Sequence, residues 1–366
     1  MVVDKNQRKR GNEERPRFDI PSDMMMKMDY LRVLMLCDCG IVELPKTIEL
    51  LEHLRCLNLS HNPIGALPDE VCKLLALQIL KLRKCNNLEE LPKCLTSLVN
   101  LHQLDIDIGN LKKKSLQLGK LTALQFLEEF FVQDMDGHRI EELGNMRFLE
   151  GSLKISNLEK VCSFVDASKA KLKEKPYLNA LKFNWSEVVA KADMVLDGLQ
   201  PHRNLQELSI SKYGGSSFPG CFNQTKPRLS RLCLDDLPNC EDLPWLGQLT
   251  LLKSLHIINM PKLRELAIAF SGNVDGGFRR LESLLFSQLP MFAKWDRIFD
   301  HDLPCLTDLT FKHCPKLKEL PKGKFALKRL EISKCDILKQ RCIKGGEDWP
   351  IVRNIEKVVI DERDIK

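Results

Sequence analysis

From Leu31 onward the apolar residues follow neither the 3.6-residue period of a helix nor the simple alternation of a lone strand. In LRCLNLSHNPIGALP, residues 54–68, leucine stands at Leu54, Leu57 and Leu59, Asn62 follows, and then come Ile64 and Leu67-Pro68. The same order runs through LRVLMLCDCGIVELP from Leu31 and LQILKLRKCNNLEELP from Leu77. It begins again as LHQLDI at Leu101, so the starts are 23, 23 and 24 residues apart. Looser copies start at Leu124, Leu149, Leu178, Leu205, Leu229, Leu252, Leu281, Leu306, Leu327 and Ile355, about fourteen in all. In x-L-x-L-x the two leucines point to one face of a short strand and the x residues to the other. The residue three further on sits where the chain turns away. There an Asn amide or a small Cys can serve backbone groups that the turn leaves without ladder partners. Asn62, Cys39, Cys85, Cys314 and Cys335 all hold this position. Leu-Pro pairs at 44–45, 67–68, 91–92, 243–244 and 320–321 follow, and proline suits the first turn of a short helix. Ile48 and Leu51, Val71 and Leu74, and Leu95 and Leu98 then continue at i, i+3, which gives that helix an inward apolar side.

One such repeat cannot bury its own leucines. Stacked repeats form one parallel sheet and one continuous core. The spacing matches the leucine-rich repeat consensus, L-x-x-L-x-L-x-x-N/C-x-L at 20–29 residues per repeat. The expected fold is an α/β solenoid: a horseshoe with a concave parallel β-sheet, and short helices, 3-10 turns and loops on the convex side. Residues 1–22 read as a flexible tail or remnant, and 23–366 as the repeat domain. The phase lapses near 130–150, 186–203, 266–280 and 290–304, which read as longer convex-side loops.

Composition narrows the function. The chain has 366 residues, is 43% hydrophobic but only 6% aromatic, and carries a net charge of +6. This is enough apolar material for a core, and too mixed a charge for a dedicated nucleic-acid binder, so no specific nucleic acid is expected. The 14 cysteines form no C-x-x-C and no zinc spacing with the eight histidines. The polar N-terminus has no signal-peptide core, and no apolar run is long enough for a membrane span. These features point to a reducing, intracellular setting with free thiols, in the cytoplasm or nucleus. The sequons at Asn58, Asn184 and Asn223 then have no role. Phosphate-loop, nucleophile-elbow, His-Glu-x-x-His and kinase signatures are all missing, so no catalytic residue, cofactor or metal site is assigned and the chain is read as non-enzymatic. Gly214-Gly215-Ser216-Ser217 lacks the phosphate-loop lysine. Cys314 beside His313 is a turn residue rather than a nucleophile.

The candidate binding residues are the x positions of the strands. In the N-terminal copies they are Met35 and Cys37, Asn58 and Ser60, Lys81 and Arg83, and Asp105 and Asp107. Further on they are Ser209 and Ser211, Cys233 and Asp235, His256 and Ile258, Thr310 and Lys312, and Glu331 and Ser333. Such a changing set suits recognition of an irregular protein partner. From Lys312 to Lys334 eight basic residues face only Glu319 and Glu331, a segment suited to an acidic partner or to solvent.

Blocks beyond the repeat carry a resemblance. LEGSLKISNLEKV (149–161), DASKAKLKEKPYLNALKFNWSE (166–187), VLDGLQPHRNLQELSISKYGGSSFPGCF (195–222), LPNCEDLPWLGQLTLLKSLHI (237–257), CPKLKELP (314–321) and GGEDWPIVRNIEKVVID (345–361) occur in order. They resemble the leucine-rich repeat region of plant intracellular immune receptors of the coiled-coil, nucleotide-binding, leucine-rich-repeat type, over about residues 20–366. In that family the region senses pathogen effectors or guarded host proteins and restrains an ATPase module. No phosphate loop or Met-His-Asp motif is present, so the resemblance implies sensing, or association with a separate receptor chain, in a truncated member, a gene fragment or a stand-alone repeat protein. Other readings are a leucine-rich repeat signalling scaffold and a ubiquitin-ligase substrate adaptor. The scaffold has more uniform 23-residue repeats, and the adaptor needs an F-box domain larger than residues 1–30. A secreted ectodomain is opposed by the missing signal peptide and cysteine caps.

Overall fold

The computed structural model describes residues 19–107, 111, 117–134, 138–189, 191–216, 218, 228–243, 246–266, 277–295, 303–321 and 326–365. Residues 1–18 of the expected 1–22 tail, Cys221, the Asn223 sequon, Pro244, Ser217, and parts of the irregular stretches at 130–150, 186–203, 266–280 and 290–304 lie outside them.

The chain divides into two compact units. Unit 1 is Met1–Leu153 with Lys169–Tyr177, and unit 2 is Lys154–Ser168 with Leu178–Lys366.

In unit 1 the strands Val33–Met35, Cys56–Asn58, Ile79–Lys81 and Gln103–Asp105 pair in parallel, each with the next. Leu34, Leu57, Leu80 and Leu104 stand in register and are buried, as the repeat requires. The expected short helices are 3-10 turns at Lys46–Leu50, Asp69–Lys73 and Lys93–Ser97, each entered from an extended proline. The i, i+3 apolar pairs explain the tighter winding, because three residues per turn place both members on one line. All six of those residues are buried.

In unit 2 the strands Leu178–Asn184, Glu207–Ser211, Arg231–Asp235, Ser254–Ile258, Ser283–Ser287, Asp308–Lys312, Arg329–Ser333 and Lys357–Ile360 pair in parallel in that order. Arg363–Asp364 closes the edge antiparallel to Lys357–Ile360. Two inward rows form the core. Leu181, Leu208, Leu232, Leu255, Leu284, Leu309 and Leu330 make one, and Phe183, Ile210, Leu234, Ile257, Phe286, Phe311 and Ile332 the other. The irregular stretch 186–203 contains the helix Ala192–Gly198, which packs on the helix Phe164–Ser168. The approach needs glycine: a Cβ on Gly198 would lie 2.6 Å from the Phe164 carbonyl oxygen.

Just after the strand, most rungs turn on a residue in the left-handed region: Asp38, His61, Lys84, Asn157, Lys212, Asp236, Asn259, Gln288, His313 and Lys334. None is glycine. Flanking hydrogen bonds hold the conformation; His61 N–H, for example, donates to the Arg83 carbonyl at 2.8 Å. This row precedes the Asn/Cys position by one residue.

Side chains also tie rung to rung, and nearly always backward. Asn62 bonds to the rung before it (Cys39, Ile41, Leu36), Asp107 accepts from Lys84 N–H, and Glu142 accepts from Gly119 N–H. In unit 2 Cys240 donates to the Gly215 carbonyl and Asp348 accepts from Leu320 N–H. Glu159, which reaches forward to Ser186, is an exception. Cys314 N–H donates to the Cys335 sulfur at 3.3 Å, another backward tie at the turn position, and the hydrogen bond with Cys335, followed by burial, pushes the Cys314 thiol pKa up.

One expectation is corrected. Cys72 and Cys94, on successive 3-10 turns, form a disulfide with Cα atoms 5.7 Å apart. Stacking consecutive turns brings the two side chains within bridging reach. The other cysteines among the described residues are free.

Candidate protein-recognition surface

The outward faces of the strands collect the predicted residues into rows within each unit. In unit 2, Ser209, Cys233, His256, Leu285, Thr310 and Glu331 are direct cross-strand neighbours. Ser211, Asp235, Ile258, Ser287, Lys312 and Ser333 form the next row. Every one of these side chains is half-buried. Leu285 and Ser287 were missed in the sequence, although LESLLFS from Leu281 puts both on x positions. Burial and neighbouring Asp236 raise the Asp235 carboxyl above its ordinary range, and burial and then Arg231 lower the His256 imidazole. Glu331 takes Lys312 at 2.7 Å and Arg329 at 3.0 Å, and the Lys312 hydrogen bond is the main cause of its lowered pKa. Two of the eight basic residues in that segment are therefore already engaged, and Lys322 and Lys324 lie outside the described residues.

In unit 1, Met35, Asn58, Lys81 and Asp105 make one row. Asn58 and Ser60 are 9% and 7% exposed, which corrects the expectation that both stand open to a partner. The Asn58 side chain folds onto its own backbone, where its oxygen accepts the Ser60 N–H at 3.0 Å, and the longer Met35 and Lys81 flank it. Arg83 is the centre of an acidic cluster. Its Nε lies 3.7 Å from Asp105 and 3.9 Å from Asp107, and its terminal nitrogen is bonded to Glu128, the main reason its pKa is raised. Glu128 and its neighbour Phe126 were missed; the phase from Leu124 would have placed both outward. Arg83, Gln103, Asp105, Phe126, Glu128 and Ser152 line an open cavity of about 260 Å³.

Among the described residues no helix is long and apolar enough to cross a membrane. No cluster of three or more His, Cys, Asp or Glu suited to a metal occurs among them.

Parallel rungs, a leucine core and an Asn/Cys turn position define a leucine-rich repeat protein. A leucine-rich repeat model matches residues 53–74, and a model for R13L1/DRL21 leucine-rich repeats matches residues 140–260. The chain is 32% identical over 345 residues to the disease resistance protein At3g14460 of Arabidopsis thaliana, covering 89% of this chain and 24% of that protein. To disease resistance RPP13-like protein 1 of the same plant it is 34% identical, covering 80% of this chain and 32% of that protein. Among solved structures, the functional domain of InlJ from Listeria monocytogenes is similar at a TM-score of 0.47 and 16% identity, covering 87% of this chain and 61% of that one. The chain belongs with the leucine-rich repeat region of plant disease resistance proteins of the nucleotide-binding type. It spans about a quarter to a third of the length of those two plant relatives.

Proposed function

We propose that the chain is a non-enzymatic recognition module that acts in plant defence by binding protein on the solvent face of its repeat sheets. The supporting observation is the pair of aligned rows on unit 2, where Ser209, His256, Thr310 and Lys312 present different chemistry on one rigid lattice. The family relationship supplies the setting: a cytoplasmic or nuclear sensor whose partner is a pathogen effector, a guarded host protein or a receptor chain with a nucleotide-binding domain. The binding face is the inner, concave side of the repeats in this reading. Polar, half-buried side chains on a stiff sheet lose little freedom on binding, which favours specificity.

The test compares capture of plant-cell proteins by the parent chain and by a Ser209→Arg, His256→Glu, Thr310→Arg variant that melts at the same temperature. Loss of defined partners in that variant, with retention by a control altered at exposed Lys93 on a 3-10 turn, supports the reading. Identical partner sets from parent and face variant would overturn it.

A further inference from the structure

We infer that the outward face of unit 1 is a docking strip for a short partner segment that presents an arginine among aliphatic side chains. This rests on the reading of the repeat sheets as a recognition surface and names the partner chemistry for one part of it.

Two features define the strip. Val33, Cys56, Ile79, Gln103 and Phe126 are successive cross-strand partners on the outward face, so four of five rungs present an apolar or thiol side chain in one line. Val33 and Phe126, at its ends, are 47% and 44% exposed. At about 4.8 Å per rung the line runs about 19 Å, the span of about six extended residues. Core packing does not explain large apolar side chains left open on this face.

The second feature is the charge at the Phe126 end. The cavity beside that ring is ringed by Asp105, Glu128 and Arg83, with Asp107 behind Arg83. Three carboxylates share one guanidinium, and they still exceed the cations when Lys81, the strand partner of Asp105, is added. Glu128 is the most exposed of the three, so its pairing with Arg83 is the one most readily exchanged. An incoming guanidinium would find a carboxylate pair for its planar fork and an aromatic ring to stack on. An acidic side chain entering the same cavity would meet Asp105 and Glu128 at close range. Charge complementarity therefore selects the basic occupant.

The experiment is selection of a displayed peptide library on the full chain, followed by affinity measurements with the enriched peptides. The expected result is enrichment of peptides with arginine beside aliphatic residues. Their affinity should fall at least tenfold with Glu128→Gln and with Phe126→Ala, and change less than twofold with Lys93→Ala on an exposed 3-10 turn. Asp105→Asn gives a second readout of the same charge. Enrichment of acidic peptides whose binding is lost with Lys81→Gln overturns the inference but leaves protein recognition intact. Arginine peptides indifferent to Glu128→Gln and Phe126→Ala, or no enrichment at all, overturn it as well. Loss of natural partners from the unit 2 face variant is a separate outcome that bears only on the broader reading.

Discussion

Asn62 holds Cys39 from one rung away. Its side-chain oxygen accepts the Cys39 N–H at 2.9 Å and the Ile41 N–H at 3.1 Å, while its amide nitrogen donates to the Leu36 carbonyl at 2.7 Å and the Leu59 carbonyl at 2.8 Å. One buried side chain thus satisfies four backbone groups that the turn removes from the strand ladder.

Replacing it should be expensive. Asn62→Leu leaves those groups buried without partners, at about 1–3 kcal/mol each before relaxation. A loss of at least about 3 kcal/mol in urea unfolding is expected. A loss below about 1 kcal/mol would show that the amide is not the structural tie described.

Leu57, fully buried beside it, tests the register itself. Leu57→Ala should cost about 2–5 kcal/mol, and Leu57→Asp should abolish cooperative unfolding of unit 1, because the carboxylate finds no partner there. Circular dichroism melts that superimpose on the parent would contradict the placement.

The rung was legible because its information is local: leucines at fixed offsets, Leu-Pro before the turn, Asn or Cys after the strand. What was not legible depends on neighbours. Asn58 occupies a nominally outward position, yet its hydrogen bond to Ser60 N–H folds it out of reach. Phe126 and Glu128 sat in a loose copy whose phase was recognised without assigning its outward positions. The left-handed row has no residue signature, since Asp, His, Lys, Asn and Gln all serve; the backbone bonds on either side impose it. The Cys72–Cys94 bridge depends on which turns stack.

Lys175 would be read from sequence as a surface charge, but it is 1% exposed. Its ammonium donates to the carbonyls of Leu143 at 2.6 Å and Met146 at 2.7 Å, at the end of the 3-10 turn Ile140–Asn145. Burial pushes its pKa down to about 8. The unfolded chain keeps this proton to higher pH than the folded one, so the contribution of Lys175 to stability is least favourable below the folded pKa and improves as pH rises from about 8 toward 10.5. The parent-minus-Lys175→Met stability difference should therefore move in the parent's favour across that window. Equilibrium denaturation at several pH values checks it, and a flat difference would remove the assignment.

The Arg83 cluster predicts an asymmetry between two adjacent basic residues. Lys81→Glu should leave stability within about 0.5 kcal/mol of the parent. Arg83→Glu sets a fourth carboxylate beside Asp105, Asp107 and Glu128, and should cost about 1 kcal/mol at low salt. Much of that loss should disappear at 1 M salt, where screening is strongest. Equal effects of the two changes, or no salt dependence, would argue against the cluster.

Gln288 is exposed and has a φ of 57°. A left-handed conformation costs a non-glycine residue about 1–2 kcal/mol, partly offset by the greater chain entropy of glycine. Gln288→Gly should raise stability by about 0.5–1 kcal/mol, read as a higher denaturation midpoint at unchanged slope.

The backward direction of the side-chain ties has a consequence for biosynthesis. A chain leaves the ribosome N-terminus first, so a rung tied in this way emerges before the residue that completes it. The Leu36–Ile41 turn waits for Asn62, the Gly119 turn for Glu142, and the Leu143 and Met146 carbonyls for Lys175. At these rungs the last one made stays open until the next emerges, so the seam is finished from behind as the chain grows.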